Sequence, residues 1–411
     1  MKICVIGLGY IGLPTSLLLA NAGHTVIGTD IKEDIVKKLN QGDLPFEEPG
    51  LNELFYKTKN NFTASNVLKT SDTYIIAVPT PLEKEMKIAD LNAVKNASEN
   101  ISKVLKEQQM VILESTVPPG TSENFILPIL RKSKVKTIYY AHCPERAIPG
   151  KTLYEIVNND RIIGGLNDES SKRAKKLYSS FVKGKIFITN SRTAEFVKLM
   201  ENTFRDINIA LANEFSLMAE EEGIDVWKAI ELANKHPRVN ILKPGPGVGG
   251  HCIAIDPLFL AEKSSKSRIV SIAREINNSM PVHVVKLVKE MIQEVKNPTI
   301  TLLGLAYKGN VDDVRESPTF KIKKIAEREG MDVKIYDPLV KDHPENSSNL
   351  LVASKDSDCI VLVTDHDAFK KIDPKKLNMR HKNLVDTRNI LNHDKWKENG
   401  FTIKILGKGV N

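Results

Sequence analysis

Along the 411-residue chain, short apolar runs alternate with helical patterns twice, with a purely helical stretch between. In the first alternation, strand-like runs fall at 2–6, Thr25 to Thr29, Thr73–Val78, Met110–Glu114 and Thr137–Ala141. Helical stretches such as 91–107 separate them. Such βα repetition predicts a parallel doubly wound sheet. In the middle, Phe196, Leu199, Met200, Phe204, Ile207, Leu211, Phe215 and Met218 recur at helical spacing and mark a long helix, expected to be buried nearly all round. A second helical pattern, 267–297, contains Pro281, which should kink it. From Thr299 the alternation restarts, with strands at 299–304, Val333–Tyr336 and Cys359–Val363 and a helix at about 317–330. The expected fold is therefore α/β: two doubly wound, Rossmann-like domains, 1–190 and 298–411, joined by a central helical domain, 191–297.

Composition narrows the class. Apolar content of 41% and charge of 27% are ordinary for a globular protein, and no apolar run approaches membrane-spanning length. Lys2 to Gly7 already reads as a first buried strand, so a signal peptide is not expected and the cytoplasm is the default location. The net charge of +8 comes from lysines spread along the whole chain, without a basic block to suggest nucleic acid. Cys4, Cys143, Cys252 and Cys359 lack metal-ligand spacing, so neither zinc nor disulfides are expected. Cys4 and Cys359 lie in apolar runs and read as core.

The first strand leads into Gly7-Leu8-Gly9-Tyr10-Ile11-Gly12, an apolar helix follows, and the second strand ends at Asp30. This is the dinucleotide fingerprint in its strand–turn–helix–strand context. The glycines admit a pyrophosphate to a helix N-terminus, and Asp30 would accept hydrogen bonds from ribose hydroxyls. A carboxylate there repels a 2′-phosphate and so favours NAD over NADP. Thr80, Thr116 and Glu145 fall just past strand ends, where ligands collect in such sheets. The second α/β domain also has a strand ending in aspartate, Asp337, but lacks the glycine fingerprint, so it should hold no dinucleotide. Its Lys308, Arg315 and Arg388 suit a mononucleotide diphosphate.

Residues 244–257, Pro-Gly-Pro-Gly-Val-Gly-Gly-His-Cys-Ile-Ala-Ile-Asp-Pro, carry the most chemistry. Four glycines would let a bulky ligand approach the backbone, with Cys252 and Asp256 just beyond. Taken alone, Cys252 reads first as a buried structural cysteine at a helix start, and the rest of the chain reverses that reading. Lys198, Asn202 and Arg205 form a polar stripe on the long helix. A solvated face is the bland reading, but cations on a helix buried all round would need an anionic partner. NAD, a thiol, a lysine and an aspartate together allow more than one alcohol oxidation. A thiolate can add to the aldehyde, the thiohemiacetal can lose a second hydride, and water can release a carboxylate.

These motifs, with the Glu114-Ser115-Thr116-Val117-Pro118-Pro119-Gly120 and Gly304–Lys308 turns, resemble the UDP-glucose/GDP-mannose dehydrogenase family over essentially the whole chain. Gly249-Gly250-His251-Cys252-Ile253, Arg205-Asp206 and His236-Pro237-Arg238 look most like the branch acting on UDP-N-acetyl-D-mannosamine. Members acting on UDP-N-acetylglucosamine are close behind, and UDP-glucose enzymes are less similar. The resemblance implies Cys252 as nucleophile, Lys198 as proton donor and acceptor, Asn202 as its helper, and Asp256 or Glu145 activating water. It places Gly7, Gly9, Tyr10, Ile11, Gly12, Asp30, Thr80, Thr116 and Arg315 at NAD, and Arg146, Ala147, Lys198, Asn202, Arg205, Gly249, Tyr307, Lys308 and Arg388 at the UDP-sugar. His236 and Arg238 would reach the substrate across a subunit boundary in a homodimer or higher oligomer with shared sites. Pro149 stands where a second glutamate is common in UDP-glucose enzymes, and no role for His251 is implied. Two competing classes are a two-electron β-hydroxyacid-type dehydrogenase, with Lys198 as base and Cys252 structural, and a non-catalytic nucleotide-binding regulator.

Overall fold

A computed structural model describes residues 1–409 apart from 84, 86, 87 and 263. The chain divides into two compact units, 1–201 with 258–263, and 202–257 with 264–411.

The first unit is built on an eight-stranded sheet. Its strands are β1 (Lys2–Ile6), β2 (Thr25–Thr29), β3 (Phe62–Ser65), β4 (Thr73–Ile76), β7 (Met110–Leu113), β8 (Tyr139–His142), β9 (Arg161–Gly165) and β10 (Ile186–Asn190). A short hairpin, β5 (Leu82–Glu83) and β6 (Ile88–Ala89), stands apart. The order is β10-β9-β8-β7-β4-β1-β2-β3. Strands such as β4 and β7 are buried along their whole length, as expected where helices cover both faces. The chain steps outward from β1 to β3, then returns to β4 on the other side of β1. That reversal opens a crevice beyond the carboxyl ends of β1 and β4, at the Gly7–Gly12 turn. The all-parallel expectation fails at one place, because β8 and β9 pair antiparallel. β9 and β10 lack a clear sequence signal: one ends in Gly164-Gly165, and the other is half-exposed throughout.

The second unit carries a five-stranded parallel sheet, ordered β12 (Asp332–Tyr336), β11 (Thr299–Leu303), β13 (Cys359–Leu362), β14 (Asn383–Asp386) and β15 (Thr402–Ile405). It reproduces the first unit's opening turn closely. The Gly7 N–H donates to the Thr29 carbonyl at 2.8 Å and the Leu8 N–H to Asp30 Oδ2 at 2.8 Å. Correspondingly, the Gly304 N–H donates to the Tyr336 carbonyl at 2.8 Å and the Leu305 N–H to Asp337 Oδ2 at 2.7 Å. Both glycines hold positive φ, +95° and +104°, where a side chain would be strained.

The copies then part. Asp337 also accepts from the Ala306 and Leu339 N–H groups and from His366, and is fully buried. The Asn310 N–H donates to His366 Nδ1, so Nε2 carries the proton given to Asp337. Burial raises the Asp337 carboxyl, but His366 and the backbone donors outweigh it and hold the group below the usual range. No ribose can reach that carboxylate. This is the structural reason, beyond the missing glycines, that the second unit does not repeat the dinucleotide site.

Helix Ser191–Glu221 departs from expectation. Much of its buried face is polar: Glu195, Asn202, Asp206, Asn213 and Ser216 are 0–1% exposed and Lys198 is 7% exposed. Phe204 and Met218 on the opposite side are 61% and 55% exposed, and Phe196, Met200 and Leu211 are exposed as well. The apolar spacing identified the helix correctly but not the face it buries. Helix Arg268–Met291 runs through Pro281 without a break.

Candidate active site

The first unit presents a dinucleotide cradle. A Cβ on Gly7 would lie 2.6 Å from the Ala77 carbonyl oxygen, and one on Gly12 would lie 1.8 Å from that of Gly7, so both must be glycine. Gly9 is the opposite case: a Cβ there meets nothing within 4 Å, which leaves its backbone open toward a pyrophosphate. Asp30 accepts from the Leu8 N–H and, at 2.9 Å, the Lys32 N–H. One lone pair on each oxygen is so engaged, and the second remains for ribose hydroxyls. Tyr10 packs on Phe46 with ring centroids 4.4 Å apart. Ile31, which sequence reasoning passed over, is 93% exposed directly after Asp30, as an apolar shelf for an adenine face would be. These residues fit NAD. Asp30→Ala removes a charged acceptor from both the turn and the ribose. It should cost about 1.5–3 kcal/mol, roughly 10–150-fold in NAD affinity, and narrow the NAD/NADP ratio of kcat/KM; an unchanged ratio refutes this role.

Thr80 is buried, and its hydroxyl donates to the Thr116 carbonyl at 2.7 Å, so it clamps two loops together. Glu195, one turn before Lys198, accepts from the Gly120 and Ser122 N–H groups and fixes the far side of the Thr116 turn.

Beneath these loops lies a buried charge cluster. The Arg161 guanidinium donates to Glu145 and, at 3.4 Å, to Glu114, and stacks 4.3 Å from the Tyr178 ring centroid. Tyr178 donates to Glu114 at 2.7 Å, and Thr15 donates to it at 3.3 Å. Glu145 Oε1 accepts from the Arg146 and Ala147 N–H groups at 2.6 and 2.9 Å. Glu145 Oε1 therefore holds its own loop and Oε2 ties it to Arg161 on β9, an arrangement that positions Arg146 and Ala147. Arg146 pairs with Glu201 at 2.6 Å. Arg161 had no signal in the sequence, being one cation in a strand the pattern did not mark.

Burial pushes the Glu114 carboxyl up to about 7, against the pull of Arg161 and with Glu145 adding to the rise. Its folded pKa thus exceeds the ordinary 4.5, so the folded state holds the extra proton between those values and stability falls as pH climbs through that window. Glu114→Gln should lose this dependence. Its melting temperature should gain on the wild type between about pH 5 and pH 8, and a constant difference across that range refutes it. Burial likewise drops His142 to about 3, so this ring is neutral at any working pH.

The second unit holds the thiol. Cys252 is exposed, whereas burial raises the thiols of Cys4, Cys143 and Cys359. The structural-cysteine reading therefore suits the other three and not Cys252. Asp256 opens the helix Asp256–Ala261, and its N–H donates to the Cys252 carbonyl at 2.9 Å. Asn202 Nδ2 donates to Asp256 Oδ2, and Arg205 donates to Asn202 Oδ1, so the stripe's Asn202 and Arg205 and the thiol turn are joined by hydrogen bonds. Burial, reinforced by Arg315, holds the His251 ring below its ordinary pKa.

The four glycines are each required by packing against protein. A Cβ on Gly245 would strike the Arg388 guanidinium at 2.6 Å, and one on Gly247 would lie 3.2 Å from the Asn277 carbonyl. On Gly249 it would meet the Glu316 carbonyl at 2.6 Å, and on Gly250 the Tyr307 ring at 2.7 Å. The missing side chains make room for protein. This packing brings Tyr307 and Arg388, from two separate strand-end loops, against the thiol segment. Lys308 is exposed beside Tyr307, and Arg315 pairs with Asp313 at 2.6 Å. His236 and Arg238 are exposed on the loop after helix Val226–Ala233.

With nucleotide cradle and thiol segment described, the class is clear. The chain belongs to the UDP-glucose/GDP-mannose dehydrogenase family: the NAD-binding domain of that family matches residues 1–182, its central domain 192–279 and its UDP-binding domain 301–393. It is accordingly an NAD-dependent UDP-sugar dehydrogenase. Among individual proteins, it is 49% identical to the UDP-N-acetyl-D-mannosamine dehydrogenase of Methanococcus maripaludis, covering 100% of this chain and 97% of that one. The NDP-N-acetyl-D-galactosaminuronic acid dehydrogenase of Ralstonia nicotianae is 42% identical, covering 94% and 95%. The solved UDP-D-ManNAc dehydrogenase of Pyrococcus horikoshii superposes with a TM-score of 0.94 at 41% identity, covering both chains completely. Among the described residues no helix is long and apolar enough to cross a membrane, and no cluster could hold a metal ion.

Proposed function

We propose that this protein oxidises the C6 hydroxymethyl of UDP-N-acetyl-D-mannosamine to the uronate in a four-electron reaction through a thioester on Cys252. The observation that carries the chemistry is the exposed thiol tied through Asp256 and Asn202 to the helix that also bears buried Lys198. The choice of sugar rests on the Methanococcus and Pyrococcus relatives.

Bound NAD supplies the hydride acceptor, once for each oxidation. Lys198 takes the hydroxyl proton as the alcohol becomes an aldehyde. The Cys252 thiolate then adds to the carbonyl carbon, and Lys198 with Asn202 stabilises the oxyanion. Loss of the second hydride leaves the thioester, and water activated by Asp256 releases carboxylate and thiolate. Per sugar, one water is consumed, two hydrides leave and three protons are released. Lys308 and Arg388, with Arg205, offset the diphosphate charge.

The reading also assigns the exposed helix face to a second copy of this chain. Phe204, Leu211 and Met218 stand seven residues apart, the spacing of a seam that pairs with its own image. Sedimentation as a monomer at micromolar concentration refutes that assignment. The function itself is tested by counting NADH per sugar consumed, with UDP-N-acetylmannosamine, UDP-N-acetylglucosamine and UDP-glucose offered in parallel. Two NADH, with the highest kcat/KM for the first, is expected; one NADH per sugar overturns the four-electron reading.

A further inference from the structure

A chain of buried polar groups connects the long helix to the glycine-rich segment. Asp206, Asn213, Asn277 and Arg274 are all buried within the second unit. The Gly245 N–H donates to Asn213 Oδ1 at 2.8 Å, and Asn213 Nδ2 donates to Asn277 Oδ1 at 2.9 Å. Asn277 Nδ2 donates to Asp206 Oδ1 at 2.8 Å and to the Asp206 carbonyl at 3.0 Å; Arg274 donates to the same carboxylate at 2.6 Å. Each amide can face only one way. Asn213 must turn its oxygen to Gly245, which leaves its nitrogen for Asn277, whose own nitrogen must then face Asp206.

Burying two helices against each other needs no such chain, since apolar side chains of equal volume would do as well or better. What the chain adds is a fixed backbone point. Gly245 is held by Asn213 on one side and lies against the Arg388 guanidinium on another. Five residues later the Gly250 N–H donates to the Arg315 carbonyl at 3.0 Å. Beyond the thiol, Asp256 is held by Asn202. Asn202 and Asn213 lie about 16 Å apart along one helix, so a single rigid element grips the thiol segment at both ends.

We infer that Asn213 is a positioning residue for Cys252: its Oδ1 pins the entry to the thiol segment and sets Gly245 against Arg388. The name of nucleophile for Cys252 rests on the proposed function; the pin itself does not. Asn213→Ala should lower kcat about 10–100-fold, as small misplacements of a reacting group do, with the KM for NAD unchanged. Iodoacetamide should alkylate Cys252 at an altered rate, read by peptide mass; the other three cysteines are buried and serve as internal controls. Wild-type alkylation and kcat in Asn213→Ala overturn the inference. Should Asn213→Ala fail to fold, amide exchange in the wild type decides. Gly245 is expected to exchange slowly, like core amides, and exchange as fast as exposed loops overturns the pin. If the wild type forms only one NADH per sugar, the four-electron reading falls while the alkylation and exchange results still judge Asn213.

Discussion

Cys252→Ala is expected to reduce uronate formation from UDP-N-acetylmannosamine by about 10⁴-fold or more, the scale on which removing a covalent nucleophile acts. The first oxidation can proceed without sulfur. The second cannot: a bare aldehyde has no tetrahedral oxyanion from which hydride can leave, and its hydrate would have to form without help. The variant should therefore stop at one NADH per sugar, with free aldehyde trapped by hydroxylamine. Because Cys252 is exposed and its neighbours Gly249 and Gly250 pack through their own backbones, the alanine variant should keep the wild-type melting temperature. Near-normal turnover would instead support a two-electron dehydrogenase of the β-hydroxyacid type.

Lys198→Ala should cost about 10²–10⁴-fold in kcat, the range for a positioned general acid–base group. Lys198 is 7% exposed on a helix face whose neighbours Glu195 and Asn202 already have partners. NAD affinity, here assigned to Gly7–Gly12 and Asp30, should be unaffected, so the loss should fall on kcat and not on the KM for NAD. A loss confined to the NAD KM would show that Lys198 serves the cofactor and not proton transfer.

Much of this was legible in residue order because the underlying physics is local. Gly7, Gly9, Gly12 and Asp30 must sit at set distances along the chain for one turn to meet a pyrophosphate and a ribose, and in the structure Gly7 and Gly12 are confined by close backbone contacts while the Leu8 N–H bonds Asp30. Strand positions emerged for the same reason: β4 and β7 are buried along their whole length and β1 over Ile3–Val5, and these stretches read as apolar runs. β9 and β10, with paired glycines and half-exposed residues, gave no such run. Arg161, Asn213 and Glu195 escaped detection because each acts on a backbone or carboxylate distant in sequence, at separations only folding closes.

The orientation of the long helix is the sharpest case. Apolar spacing gives a helix its period but not the side on which the rest of the protein lies, and burial followed Lys198, Asn202 and Asn213 over Phe204 and Met218. The glycines of 244–257 repeat the point: composition announced a close approach, and only packing named Arg388, Asn277 and Tyr307 as what approaches. Residue order alone thus determined the repeated α/β elements, the NAD fingerprint and the candidate chemical groups, all of which depend on neighbours within a turn or a strand. Tertiary structure decided which of those groups are buried and what holds each one still, because burial and hydrogen-bond partnership are settled by contacts across tens or hundreds of residues.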